Sequence, residues 1–279
     1  MCGFLVVGSS ELELQVFNDA LNQAAYRGPD HQHVSINNGI AWGFNRLSIM
    51  DLSSKGNQPF VYKDCVLVCN GEIYNYHSLK AMLETDYTFK SGSDCEVLIP
   101  LYHKYGIEIL CKFLDAEFAM VIYDAKKDKI LAARDPMGIP PMFYGYHKED
   151  GKICFASEAK GLFPLCQEIM PFPPGHYYED GKFICYNDLS NPKTISNDDL
   201  ETIATNLRLK LEKAVKKRLQ SDAPIGYLLS GGLDSSLVCA IAARLNDQPI
   251  KTFAIGMDTD PIDLKYAKQV ADYLGTDHT

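Results

Sequence analysis

Two short stretches carry residue types that do chemistry. The first is the opening "MCGFLVVG", in which Cys2 stands directly behind the initiator methionine. With the methionine removed, Cys2 would hold a thiol and a free α-amine together, a nucleophile and a base on one residue. The second is "SGGLDSS", Ser230–Ser236, which follows an apolar run and opens another. Gly231 and Gly232 would let backbone N–H groups approach an anion closely, a helix N-terminus would add its dipole, and Ser230, Ser235 and Ser236 can donate hydrogen bonds. There is no GK[ST] sequence, so this is not a Walker A loop. The bland alternatives are a permissive second position for Cys2 and a glycine turn capped by Asp234.

Four clusters lie between them: "RGPD" (Arg27–Asp30), "NRLSI" (Asn45–Ile49), "NGEIYN" (Asn70–Asn75) and "SGSDCE" (Ser91–Glu96). Singly, each has an ordinary reading. RGPD and NGE are turn-forming strings, Asp94 would answer a helix dipole, and Arg46 would be a surface cation.

The elements that must position these groups change in character along the chain. "GFLVV", "CVLVC", "EFAMVIYD", "KILAAR", "MFYGY" and "KICFAS" read as strands. The thiols Cys65 and Cys69 on "CVLVC" are expected in the core, since no nearby His or Cys completes a metal set. One helix is expected over roughly 11–25. Another should start near Ser93, with Ser93 at the N-cap, Glu96 closing a capping box and Pro100 kinking it. The polar stretch "NDLSNPKTISNDD" reads as a boundary, which gives domains at 2–187 and 200–279 joined by 188–199. A helix should then begin at Asp198 or Asp199, with Leu200, Ile203, Leu207, Leu211, Ala214 and Leu219 on one face. After it, strand "IGYLLS", the glycine turn, a helix, strand "KTFAIG" and a further helix predict a parallel doubly wound sheet. Ligands sit at the C-terminal ends of such strands. Leu228, Leu229, Ile255 and Gly256 would therefore line a nucleotide pocket. Two parallel strands cannot bury both faces or cover their edges, so the sequence reads as a fragment or as a chain completed by a partner.

Composition sets outer bounds. Among 279 residues, 36 acidic side chains face 27 basic ones, a net charge of −9. That disfavours general affinity for nucleic acid or anionic membranes. No secretory signal or membrane span is visible. Nine cysteines without CxxC spacing read as reduced thiols in a cytoplasmic setting.

As an ordered set, MCG, RGPD, RLSI, NGEIYN, SGSDCE, "ARDPMGIPPMFYG", "FASEAKGL", "FPPGHY" and SGGLDSS closely resemble the glutamine-hydrolysing asparagine synthetases, and the glycine turn resembles the pyrophosphate loop of ATP pyrophosphatases. The resemblance implies an α+β N-terminal domain, an αββα sandwich of the N-terminal-nucleophile (Ntn) hydrolase type. The start of an α/β parallel-sheet ATP-pyrophosphatase domain would follow it. It implies Cys2 as nucleophile on the glutamine amide, with Asn70 and the Gly71 N–H as oxyanion donors. Arg46 would hold the substrate carboxylate and Asp94, with Glu72, its ammonium, beside Leu47 and Ile49. Arg27 would order the surroundings of the nucleophile. ATP and Mg²⁺, the ion on Asp234 through the pyrophosphate, would activate aspartate, and ammonia would displace AMP to give asparagine. A homodimer or other homo-oligomer is the expected assembly. The sequence departs from the pattern at Tyr26, usually basic or His, at Asn45, often acidic, and at Pro100, Pro140 and Pro141. The later synthetase motifs have no match in these residues. Amidation of another carboxylate, and a glutaminase-only or regulatory chain, are the competing expectations.

Overall fold

The computed structural model describes residues 1–9, 12–192, 194–257 and 262–279. The chain divides into two compact units, Met1–Thr194 and Ile195–Thr279.

The first unit holds two six-stranded sheets, antiparallel throughout. One runs β10 (Cys166–Pro171), β8 (Phe143–His147), β9 (Ile153–Ala156), β1 (Gly3–Val7), β3 (Ile40–Arg46), β2 (His31–Asn37). The other runs β12 (Lys182–Cys185), β11 (His176–Glu179), β7 (Lys129–Arg134), β6 (Ala116–Asp124), β5 (Cys65–Ile73), β4 (Phe60–Tyr62). The sheets face each other across Phe4, Val6, Trp42, Phe44, Val66, Val68, Ala119 and Val121. Helix α1 (Leu14–Asn22) covers the first sheet through Phe17, Ala20 and Leu21 against Leu5 and Val7. Helices α2 (Tyr76–Leu83) and α3 (Leu98–Phe113) cover the second, packed on Cys65, Leu67, Cys69, Met120 and Ile122. This is the αββα sandwich. It explains why "GFLVV" and "CVLVC" carry no polar alternation: both faces of β1 and of this part of β5 are buried. Cys65 and Cys69 are core thiols, as expected.

Several local expectations are corrected. Helix α1 is shorter than 11–25, and residue 11 lies outside the described residues. After it the chain tightens into a 3₁₀ turn at Ala25–Arg27 to pass Gly28 against β3, where a Cβ would fall 2.2 Å from the Asn45 carbonyl oxygen. Only glycine fits that approach. Ser93 closes no capping box: the 3₁₀ turn Cys95–Val97 that leads into α3 has its N-cap at Asp94, without a side-chain cap bond. The buried Glu96 carboxylate instead reaches back to the Lys90 and Ser91 N–H groups, both 2.8 Å, and to the Tyr87 and Ser91 hydroxyls. Pro100 lies in the first turn of α3, where its missing N–H breaks no ladder bond. The helix breaks at Gly106, φ 79°. Asn38 and Gly39, both at positive φ, form the turn of the β2–β3 hairpin.

In the second unit, Asp199 caps α4 (Leu200–Lys217) by accepting from Thr202 N at 2.8 Å. Its apolar face meets the core only late, at Leu211, Val215 and beyond it Leu219. The sheet is parallel, β13 (Gly226–Leu228), β14 (Lys251–Phe253), β15 (Asp277–His278), with α5 (Leu233–Leu245) and α6 (Ile262–Leu274) between strands. Three strands form where two were expected, because β15 pairs only two residues and a stretch that short has no periodicity to read.

Candidate active site

Strand parity brings Cys2 and Asn70 to one place. Side chains alternate across a strand, so Cys2 shares the inter-sheet face of β1 with Phe4 and Val6, while Asn70 shares the facing side of β5 with Val66 and Val68. The Cys2 thiol is bracketed by Leu47: the Leu47 N–H donates to Sγ at 3.4 Å, and Sγ donates to the Leu47 carbonyl at 3.5 Å. Burial pushes the thiol up to about 11; the Leu47 N–H and the chain's α-amine pull it down, and Glu72 and Cys69 push it up. Burial also holds that α-amine, carried by Met1 here, below its usual range.

Asn70 is 1% exposed, and its Nδ2 has no hydrogen-bond partner among the described residues. A buried amide donor left unpaired costs free energy, which is what a site reserved for developing negative charge looks like. Gln58 steadies the strand just before it. Its side-chain amide donates to the Cys69 carbonyl at 2.9 Å and accepts from the Cys69 N–H at 2.6 Å, extending the ladder past β4.

Three carboxyls gather beyond Asn70. Glu72 lies opposite Glu117 in the β5–β6 register. Asp94 is buried and accepts from the Ile73 N–H at 2.6 Å. Burial, then Asp94, then Glu117 push the Glu72 carboxyl up to about 8, and burial also raises Asp94. Such a group favours an incoming cation.

Arg46 is not a surface cation. It is buried, and both terminal nitrogens are engaged: Nη1 with the Ser53 carbonyl and Asn57 Oδ1, each at 2.7 Å, and Nη2 with the Met50 and Asp51 carbonyls. The same loop is latched to the "SGSD" segment, where the Gly92 N–H donates to Asp51 Oδ2 at 2.7 Å. Ile49 lies on this loop, half-buried. Sequence reasoning gave Glu96 a capping-box role in place of its bonds to the 87–91 segment, and it missed Gln58 and Glu158. The signal for Glu158 was present in "FASEAKGL".

In the second unit, Gly231 takes φ +77° and lies so close to α6 that a Cβ would fall 2.5 Å from the Ala267 nitrogen. Ser230 and Ser235 hydroxyls touch at 3.0 Å, and Ser235 Oγ accepts from the Ser230 N–H at 3.3 Å. Gly232 is the N-cap of α5 without a side-chain cap bond, Asp234 is exposed in the first turn, and Ser236 Oγ is buried with no partner among the described residues. Leu228 and Ile255 are exposed, and Gly256 packs against Leu264. Leu229 is buried in the core with Cys239 and Ala242, and its N–H follows the sheet to the Phe253 carbonyl.

The chain belongs to the glutamine amidotransferase domain family, which it matches over residues 1–176. Residues 206–279 match the asparagine synthase family. Among individual proteins it is similar to the probable glutamine-hydrolysing asparagine synthetase of Schizosaccharomyces pombe, 39% identical over all of this chain and 54% of that one. The glutamine-hydrolysing asparagine synthetase of Zea mays is 40% identical over all of this chain and 49% of its own length. Asparagine synthetase B of Escherichia coli K12 is 41% identical over 91% of this chain and 48% of its own. The chain thus spans about half the length of these relatives. Among solved structures, the glutamine phosphoribosylpyrophosphate amidotransferase of B. subtilis superposes with a TM-score of 0.55 at 18% identity, over 90% of this chain and 65% of that one. That likeness establishes the Ntn-type fold. No described helix is long and apolar enough to cross a membrane.

Proposed function

We propose that the first unit hydrolyses glutamine to glutamate and ammonia at Cys2, and that the ammonia amidates an aspartate adenylated from ATP, giving asparagine. The observation that carries the first half is the unpartnered Asn70 amide on the inter-sheet face that Cys2 also occupies. With Met1 removed, the α-amine of Cys2 takes the thiol proton as Sγ attacks the side-chain amide carbon. The oxyanion is met by Asn70 Nδ2 and the Gly71 N–H. Glu72 and Asp94 receive the substrate ammonium, whose charge offsets the repulsion between them. Arg46 receives the carboxylate by exchanging one or two of its loop carbonyl contacts for substrate oxygens, with Leu47 and Ile49 alongside.

For the second half, support comes from the asparagine synthase match and from the Ser230–Ser236 loop at the N-terminus of α5. The buried, unpartnered Ser236 hydroxyl fits a phosphate oxygen. Leu228, Ile255 and Gly256 would line the adenine side. A Mg²⁺ ion, held chiefly by phosphate oxygens, would have Asp234 as its protein ligand and would neutralise pyrophosphate charge. The setting we propose is the cytoplasm, and the assembly a homodimer or other homo-oligomer.

The test supplies glutamine, ATP-Mg²⁺ and aspartate and follows each product. Glutamate and asparagine formed together support both halves. Glutamate alone contradicts the synthetase half for this chain, and no glutamate contradicts the first.

A further inference from the structure

A charged cluster outside the glutamine-receiving groups ends on the main chain of the nucleophile. Arg27 Nε donates to the Cys2 carbonyl at 2.9 Å, and its Nη1 pairs with Glu158 Oε1 at 3.0 Å. The Tyr26 hydroxyl donates to the same Oε1, and Lys160 Nζ pairs with Oε2 at 3.0 Å. Lys160 also donates to the Tyr26 hydroxyl at 3.1 Å and lies 4.5 Å over its ring. Burial opposes charge on Glu158, but hydrogen bonds from Tyr26, Lys160 and Arg27 outweigh it and hold the carboxyl below its usual range. The segment is fixed relative to β1 by its neighbour: the Phe4 N–H donates to Ser157 Oγ and the Ser157 N–H to the Phe4 carbonyl, both at 3.0 Å.

A nucleophile at the start of a chain has no preceding residues to hold it. Once Met1 is gone, the thiol and the amine both hang from one Cα, and the carbonyl of Cys2 is the last main-chain handle. Tilting of the Cys2–Gly3 peptide plane would carry that Cα, and both reacting groups with it, away from the Leu47 groups that bracket Sγ. The carboxylate fixes the planar fork of Arg27 in a way that a neutral or mobile partner would not.

We propose that Glu158 is a positioning residue: it aims Arg27 so that the Nε–H holds the Cys2 carbonyl and fixes the direction in which thiol and α-amine project. The inference rests on the reading of Cys2 as the glutaminase nucleophile. Tyr26, where the resembling family usually has a basic residue or His, serves here as a donor to that carboxylate, backed by Lys160.

The test uses the full chain carrying Glu158→Gln. A slackened nucleophile should lower kcat for glutamine by roughly 10–100-fold, with KM within about twofold. Alkylation of Cys2 by iodoacetamide should slow in parallel, with the thermal midpoint nearly unchanged. Glu158→Asp should recover part of kcat at the same KM, and it decides the matter if Glu158→Gln does not fold. Wild-type kcat and alkylation in Glu158→Gln would overturn the proposal. So would a loss in which KM rises and the midpoint drops together and Glu158→Asp gives no relief. If the wild-type chain releases no glutamate, the glutaminase reading fails, and the difference in alkylation rate alone decides the role of Glu158.

Discussion

In the first unit the candidate site is gathered from Cys2 ahead of β1, Arg46 on β3, Asn70 and Glu72 on β5 and Asp94 ahead of α3, mostly withdrawn from solvent. In the second it is a contiguous run of seven residues, Ser230–Ser236, that ends in the first turn of α5, with Leu228 and Ile255 at 80% and 91% exposure. The first arrangement exists only when two sheets are packed face to face, because strand parity alone turns Cys2 toward Asn70. The second needs only one strand, one turn and one helix start. Function in the first unit should therefore respond sharply to single buried side chains. Surface changes beside the Ser230–Ser236 stretch should leave glutamate release untouched.

The comparison breaks most visibly at Cys2. Cys2→Ala should abolish glutamate release, a loss of about 10⁴-fold or more, while ATP binding by the second unit is retained. Residual hydrolysis at a substantial fraction of wild type would remove the nucleophile from Cys2. Asn70→Ala should lower kcat by about 10²–10³ with KM for glutamine little changed. A pure KM effect would make Asn70 a binding residue instead.

A smaller effect concerns pH. Because Glu72 is raised to about 8, it is largely protonated at pH 6 and ionises as the pH climbs. The substrate ammonium favours the ionised form, so KM for glutamine should fall as the pH rises from about 6 to 8, by at most about tenfold per unit, and level off above that. Steady-state profiles on wild type and Glu72→Gln check this: the variant should be flat over the same range. An equal slope in both would assign the titration elsewhere. The sign on folding is opposite. The carboxyl is raised from 4.5, so its protonated form is the one the fold favours, and stability is lost as the pH rises from about 4.5 toward 8. The smallest effect is expected in the second unit. Leu228→Ser, at an exposed position, should change unfolding free energy by no more than about 0.5 kcal/mol and leave glutamate release as it was.

What the sequence made legible follows the same division. The strands "GFLVV" and "CVLVC" were readable because both faces are buried, and the loop at Ser230 because strand, glycines and helix are adjacent in the chain. The capping role given to Ser93 failed because Glu96 satisfies the donors of residues 90 and 91 behind it, a tertiary arrangement that no spacing rule reveals. The engagement of Arg46 by its own loop was hidden for a related reason: carbonyl acceptors carry no side-chain signature. Motif strings named Arg27 and Cys2, yet the carboxylate that pairs with Arg27 is Glu158, more than a hundred residues away, and it comes into view only once β9 lies beside β1.

The central claim is that Cys2, freed of Met1, is the residue that attacks glutamine. It is tested most directly by treating the chain with an electrophilic chloroketone analogue of glutamine and mapping the adduct by peptide mass spectrometry. The account predicts one adduct, on the thiol of a peptide that begins at Cys2, prevented by excess glutamine. An adduct on another of the nine cysteines, or full glutaminase activity in a chain that still carries Met1, would contradict it.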